Sequence, residues 1–353
     1  MARRAYGVGM TKRVVIYRLG SLGDTVVALP CFHRIASSFP DHERIALTNI
    51  PVSSKAPSLE SILGPGGFIH SSIAYPVGLR RPAELFVLAR RLRELKADTL
   101  IYMGGGRGLG AVYRDLLYFR ACGFRRIIGA PVTRDLDQVR VDPATGRQEP
   151  EARRLARCLA ALGPVDLEAP AAWDLRLTAE ERAAAREALA PLDGRSFVAV
   201  NTGGKVVEKD WGVDNWTALF ERLAPLGFPV VFVGGAEDSE RARLLGALRR
   251  GPVLDLCGQL TPRGTAAVLG EAALFLGHDS GPLHLAWTAG TPCISLFGSI
   301  NRPDRWHPMG DGHRTFHDTA DVRRIPVGEV ADAVETEVRH RVETSARATM
   351  RLA

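Results

Sequence analysis

Arg13-Val14-Val15-Ile16-Tyr17-Arg18-Leu19-Gly20-Ser21-Leu22-Gly23-Asp24 is the stretch on which the reading of this chain turns. Its apolar run without helical period is that of a buried strand, its glycines make a loop, and the apolar-periodic residues from about Thr25 to Ser38 make a helix. A strand that runs through a glycine loop into a helix is the unit of parallel α/β sheets. Further strands are expected at Glu43–Leu47, Thr99–Met103 and Arg126–Ile128. A helix is expected over Pro82–Leu95, where Pro82 suits the first turn. Between Pro143 and Pro170 an Arg- and Ala-rich helix gives way to Gly163-Pro164 and Pro170, where the chain changes direction. A second series then repeats the pattern. Strands are expected at Ser196–Asn201, Pro229–Gly234, Val253–Leu256, Ala273–Gly277 and Cys293–Phe297, alternating with helices at Asp214–Leu226, Ser239–Arg249, Thr261–Glu271 and Pro282–Thr288. An amphipathic helix over Gly328–Arg347 precedes a charged tail. The expected class is α/β, with two doubly wound parallel-sheet domains over 1–170 and 171–325 and a C-terminal helix and tail over 326–353.

The 353 residues are 46% hydrophobic, 24% charged and 7% aromatic, which excludes disordered, collagen-like and disulfide-scaffold classes. The cysteines Cys31, Cys122, Cys158, Cys257 and Cys293 are scattered without a C-x-x-C pair, so reduced, packed thiols are expected and no metal site. No run approaches the roughly 18 apolar residues of a membrane span, and Met1 to Lys12 lacks the apolar centre of a secretory signal. A cytoplasmic protein is expected, with Met10 an alternative start that would make residues 1–9 a leader. The net charge of +7 is uneven: residues 1–170 hold 25 basic and 15 acidic side chains, the remainder 21 and 24. The first half therefore suits an anionic partner, unless its arginines simply solvate helices. No aromatic-interleaved basic motif points to nucleic acid.

In open parallel sheets ligands bind beyond the carboxyl ends of strands, and four such loops carry chemistry. Gly20-Ser21-Leu22-Gly23-Asp24 offers close backbone approach and a carboxylate at a helix start. Asp24 there is either a general base or an N-cap among turn glycines. The spacing is not a dinucleotide fingerprint. Asn201-Thr202-Gly203-Gly204-Lys205, leading to Lys209 and Trp211, has the hydroxyl, glycines and ammonium groups a phosphate needs, though without nucleotide-hydrolase spacing; the alternative is a flexible turn. Gly234-Gly235-Ala236-Glu237-Asp238 places a carboxylate where ribose hydroxyls can be gripped, or where it caps a helix.

The fourth loop, Phe275-Leu276-Gly277-His278-Asp279-Ser280-Gly281-Pro282-Leu283-His284, is the most informative. Asp279 can hold sugar hydroxyls, while the N–H groups of Ser280 and Gly281 open a helix that favours a phosphate. His284 falls in that helix's first turn. A serine-hydrolase reading lacks G-x-S-x-G, and a metal site of His278, Asp279 and His284 lacks a shared helix face.

Together these residues resemble glycosyltransferase family 9, the ADP-heptose:lipopolysaccharide heptosyltransferases. Arg18-Leu19-Gly20-Ser21-Leu22-Gly23-Asp24 with Ala28-Leu29-Pro30 looks like that family's opening. His278 to Ala286, Ala289-Gly290-Thr291-Pro292 and Leu296-Phe297-Gly298 look like its late segment, and Lys209-x-Trp211 and Gly234-Gly235-Ala236-Glu237 keep its order. The resemblance covers about residues 13–310. It implies a GT-B fold, two Rossmann-like domains facing across a cleft, and an inverting, metal-independent transfer without a cofactor. The donor would be a nucleotide sugar, ADP-heptose, and the acceptor an anionic lipopolysaccharide-type saccharide or glycolipid at the inner membrane surface.

On the matching positions Asp24 would be the base, in a loop with Gly20, Ser21 and Gly23 on the acceptor side. Thr202, Gly203 and Lys209 would bind donor phosphates, Glu237 the nucleoside and Asp279 the sugar. Ser280 and Gly281 would give amides to the diphosphate, with His284 touching the donor or supporting the loop. Arg80, Arg81, Arg90, Arg91 and Arg107 would meet the acceptor. Gly20 in place of Ser, Val206-Val207 in the phosphate loop and bulky Trp287 in place of a small residue depart from the family pattern and bear on which sugar is used. A transferase of the same fold using a different nucleotide sugar, a non-catalytic nucleotide-sugar binder, and an epimerase or hydrolase of the same fold are the rival readings.

Overall fold

The computed structural model describes residues 12–50, 57–76, 78–79, 81–204 and 206–352, with side chains described to residue 340. Five strands form the first sheet: β1 (Arg13–Tyr17), β2 (Glu43–Asn49), β3 (Ser71–Tyr75), β4 (Thr99–Tyr102) and β5 (Arg126–Ile128). All pair in parallel, in the order β3-β2-β1-β4-β5. The second sheet holds β6 (Val198–Asn201), β7 (Val230–Phe232), β8 (Val253–Asp255), β9 (Leu274–His278), β10 (Cys293–Phe297) and β11 (Arg314–His317). Its order is β11-β10-β9-β6-β7-β8, again parallel throughout. The helices are α1 (Leu22–Val27), α2 (Leu29–Ser38), α3 (Leu59–Leu63), α4 (Pro82–Glu94), α5 (Leu109–Ala121), α6 (Arg134–Asp137), α7 (Glu151–Cys158), α8 (Ala179–Leu189), α9 (Val213–Leu223), α10 (Ser239–Gly246), α11 (Pro262–Gly270), α12 (Gly281–Thr288), α13 (Pro303–Trp306) and α14 (Val327–Leu352).

Two doubly wound parallel sheets were the expectation, and two are present. Central strands β6, β9 and β10 are buried along their whole length, as sheets covered on both faces require. The expected helix from Thr25 to Ser38 is different: it starts at Leu22, capped by Ser21, and breaks at Ala28. Pro30 explains the break, since it lacks an N–H and its ring excludes a continuous helix through the preceding turn. Strands β3 and β11 were not expected; both lie at sheet edges, and their sequences, Ser-Ser-Ile-Ala-Tyr and Arg-Thr-Phe-His, have little apolar signal.

The two halves share buried apolar packing. One cluster joins Val14, Ile16, Val26 and Phe32 of the first half to Leu269, Leu283, Leu285 and Phe297 of the second. Arg263 of α11 pins the junction from inside. Fully buried, it donates to the carbonyls of Ile62, Leu175 and Arg176 and pairs with Glu181 at 2.6 and 2.8 Å. A second contact crosses the cleft, where Arg305 of α13 grips Glu151 of α7 through Nε and a terminal nitrogen, at 3.1 and 2.7 Å. Glu151 also holds the buried Arg154. The start of α14 packs Val330, Ala331 and Val334 into the second half's own core. Among the described residues no helix is long and apolar enough to cross a membrane.

Candidate active site

Four loops beyond the strands' carboxyl ends supply the site, and the first is tied to the Asp24 carboxylate. Asp24 sits in the first turn of α1, where its Oδ2 accepts from Ser21 N–H at 2.8 Å and Ser21 Oγ–H at 2.9 Å. Ser21 rather than Asp24 is thus the N-cap, and the carboxylate lies against the positive end of the helix. Among the described residues both of these hydrogen bonds to the carboxylate fall on Oδ2, not on Oδ1. Arg18 clamps the same turn, donating to the Asp24 carbonyl at 2.6 Å and the Met103 carbonyl at 2.9 Å. Gly20, at φ +140°, donates its N–H to Asn49 Oδ1 at 2.9 Å, and a Cβ here would strike the Asp24 side chain. Glycine is required there on both counts.

Opposite stands the loop between β9 and α12. Asp279, 6% exposed, accepts from Lys209 Nζ at 2.6 Å and from Asn301 Nδ2 at 2.6 Å, both on Oδ2. Lys209 also reaches the Asp279 carbonyl at 3.3 Å. Ser280 stands at the N-cap position of α12 without a side-chain capping bond and donates its hydroxyl to Asn201 Oδ1 at 2.9 Å, while Asn201 Nδ2 donates to the Val233 carbonyl. Three strand ends, β6, β7 and β9, are thereby held in register around the loop.

The two loops meet. A Cβ on Gly281 would stand 2.6 Å from Leu22 Cδ2, and one on Gly23 would stand 2.8 Å from His284 Cδ2 and 3.2 Å from its Nε2. Glycines on both sides thus let the first turns of α1 and α12 touch. His284, 3% exposed, occupies the seam with Nε2 3.8 Å from Asp279 Oδ1. Burial pushes its pKa down; Asp279 and Asp24 push it up, and Lys209 down, with a net lowering. The imidazole is therefore neutral near pH 7 and lies between two carboxylates from different domains.

The remaining residues that the sequence offered to a donor lie on the neighbouring loops of the second sheet. Thr202 is buried behind β6, and its carbonyl accepts from Arg241 at 2.7 Å. Arg241 also pairs with Asp210 at 2.8 Å; burial raises the Asp210 pKa, but Arg241 and the Gly212 N–H outweigh it and hold it below the usual range. Glu237 is exposed on the 3-10 turn Ala236–Asp238. Its neighbour Asp238 turns inward, accepting from Gly235 N–H at 2.9 Å and filling the notch where a Cβ on Gly203 or Gly234 would collide. Burial pushes the Asp238 pKa up. His278 points away from the seam into the core: its Nε2 accepts from Trp211 N–H at 3.0 Å, and burial lowers its pKa to about 4. His278, Asp279 and His284 therefore do not converge. Lys205 lies outside the described residues.

The glycosyltransferase family 9 (heptosyltransferase) model matches residues 86–321. The chain belongs to this family. Lipopolysaccharide heptosyltransferase 3 of Escherichia coli is 28% identical over 145 residues, covering 40% of this chain and 42% of that one. The match thus spans about two fifths of that curated relative's length. Among solved structures, glycosyl transferase family 9 from Veillonella parvula DSM 2008 has a TM-score of 0.71 at 20% identity, covering 93% of this chain and 98% of that one. The ADP-heptose LPS heptosyltransferase II of E. coli has a TM-score of 0.66 at 15% identity, covering 93% and 99%. These likenesses establish the two-domain GT-B fold.

This family 9 chain does not gather the arginines that its sequence offered to an acceptor. Arg80 lies outside the described residues. Arg81, Arg90 and Arg91 are exposed on or beside α4, where Arg81 pairs with Glu84 at 3.7 Å and Arg90 with Glu94 at 3.0 Å. Arg107 alone of the described four stands at a strand's carboxyl end, held by Asp115 at 2.7 Å and by the hydroxyls of Tyr17 and Tyr102 at 3.1 and 3.0 Å. Asn301 was missed, although the loop after Leu296-Phe297-Gly298 follows a strand end and so lies where ligands bind. Arg18 was read as the end of a strand and the start of the family's opening motif but was given no role at the site, and Gly104-Gly105-Gly106 went unread beyond β4.

Proposed function

We propose that this chain is an inverting glycosyltransferase that moves heptose from ADP-heptose to an anionic lipopolysaccharide-type acceptor at the cytoplasmic face of the membrane, without a metal or other cofactor. The observation that carries the reading is the seam itself: a carboxylate of the first domain and a Lys-bound carboxylate of the second meet across one buried imidazole. Asp24 Oδ1 takes the proton of the acceptor hydroxyl as that oxygen bonds to the sugar's anomeric carbon. The bond from that carbon to the diphosphate breaks on the opposite face, inverting the configuration and releasing the nucleoside diphosphate. Asp279 holds sugar hydroxyls. Lys209, Thr202, Gly203 and the N–H groups of Ser280 and Gly281 at the start of α12 stabilise the charge on the departing diphosphate. Glu237 holds the nucleoside. We take the donor half to be 171–325 and the acceptor half to be 1–170.

The donor choice draws on relatives: the E. coli heptosyltransferase WaaC has been solved with ADP and with ADP-2-deoxy-2-fluoro heptose. Calorimetric titration with ADP, GDP, UDP and CMP tests it, with Lys209→Ala alongside. ADP is expected to bind selectively and to weaken by at least tenfold in the variant. Preference for another nucleotide would overturn the ADP donor, and no binding at all would favour a non-catalytic chain.

A further inference from the structure

His284 is steered from its far side by a neighbouring tryptophan. Trp287, one turn along α12 and 6% exposed, donates its indole N–H to His284 Nδ1 at 3.3 Å. An indole nitrogen only donates, so Nδ1 must carry the lone pair and the imidazole proton must sit on Nε2. That nitrogen is the one facing Gly23 and Asp279 Oδ1. Trp287 is itself braced by Trp173 of the segment joining the domains, ring centroids 4.4 Å apart, and Trp173 is anchored by its indole N–H on the Leu167 carbonyl at 2.9 Å. Trp306 closes another side of the imidazole at 6.3 Å.

We infer that Trp287 is a positioning residue that locks His284 as a fixed Nε2–H donor aimed into the seam between Asp24 and Asp279. The role follows from the hydrogen bond alone, and its bearing on catalysis rests on the proposed transfer. A locked donor cannot accept a proton from the acceptor hydroxyl, which leaves that task to Asp24. It can donate to an oxygen that gains charge in the seam. Protonating Nδ1 would set two N–H groups head to head, so Trp287 opposes the imidazolium. Around the ring, Asp279 and Asp24 favour the imidazolium, and Lys209 opposes it.

The test is the 15N spectrum of the imidazoles in the full chain from pH 5 to 8, with His284 assigned by the signal lost in His284→Asn. The expected wild-type spectrum shows an unprotonated Nδ1 and a protonated Nε2 at neutral pH. In Trp287→Phe, which keeps a ring but loses the donor, the tautomers are expected to mix and the proton affinity of His284 to rise by about tenfold. A wild-type Nδ1–H tautomer, an imidazolium at pH 7, or a Trp287→Phe spectrum identical to wild type would overturn the inference. Should that variant fail to fold, the wild-type tautomer decides alone. In a transfer assay Trp287→Phe should lower kcat more than it raises KM and shift the acid limb of the pH profile upward. Absence of transfer by the wild-type enzyme would count against the proposed function while leaving the spectrum to judge the tautomer.

Discussion

Adding one methyl group at Gly23 should separate the chemistry from the nucleotide binding. The new Cβ would lie 2.8 Å from His284 Cδ2 and 3.2 Å from its Nε2, with the imidazole buried and backed by Trp287. Carbon contacts relax only near about 3.5 Å, so α1 and α12 must part by about 0.7 Å. Asp24 lies in the next position along α1 and moves with it. A displacement of that size between reacting groups costs about 10- to 100-fold in rate. Overpacking costs about 1–3 kcal/mol, of which the better helix propensity of Ala returns up to about 1 kcal/mol. The expected fall in Tm is at most about 8 °C. Initial rates of nucleoside diphosphate release with acceptor present, set beside calorimetric ADP affinity, read the two effects apart. Gly23→Ala should lose kcat and keep ADP affinity within about twofold. An unchanged kcat would show that the α1–α12 contact does not set the reacting geometry.

Other consequences follow from the buried charges. Burial holds the His278 pKa at about 4, below its unfolded value, so the unfolded chain binds more protons and stability must fall as pH drops from about 6.5 towards 4. His278→Gln keeps an acceptor for the Trp211 N–H; it should lose about 2–3 kcal/mol less than wild type between pH 7 and pH 4.5 in denaturant melts. Equal losses in both proteins would contradict the buried neutral imidazole. Burial raises the Glu151 pKa, but Arg154, Arg305 and Arg18 outweigh it and the net shift is downward. Its contribution is therefore present above the unfolded carboxylate range and disappears as pH falls below it. Glu151→Ala strands the buried Arg154 and frees Arg305, and should cost about 3–5 kcal/mol at pH 7 by urea unfolding. A loss under about 1 kcal/mol would show that water reaches Arg154.

Much of this architecture could be read in advance because the central strands are unbroken apolar runs followed by glycine loops. Val14–Tyr17 and Leu274–His278 need no tertiary information to be placed. Edge strands β3 and β11 need it, since Ser71 and Arg314 gain strand geometry only from pairing with β2 and β10. At the site, the positions of Asp24 and Asp279 were legible from strand and helix boundaries. The seam was not. That Gly23 receives His284, and Gly281 receives Leu22, depends on how two domains dock, and no local pattern encodes docking. Asn301 on Asp279 and Trp287 on His284 are pairings of the same kind. The inward turn of Asp238 beside exposed Glu237 is a matter of one residue's phase on a 3-10 turn, finer than any periodicity resolves.

The division of labour across the seam is tested most directly by Asp24→Ala, assayed with ADP-heptose and acceptor while ADP affinity is measured on the same preparation. Transfer should fall by several orders of magnitude, with ADP affinity within about twofold of wild type, because the proposed base lies in the first domain and the proposed nucleotide site in the second. Transfer at a tenth of the wild-type rate or more, or a loss of ADP affinity as large as the loss of transfer, would contradict it.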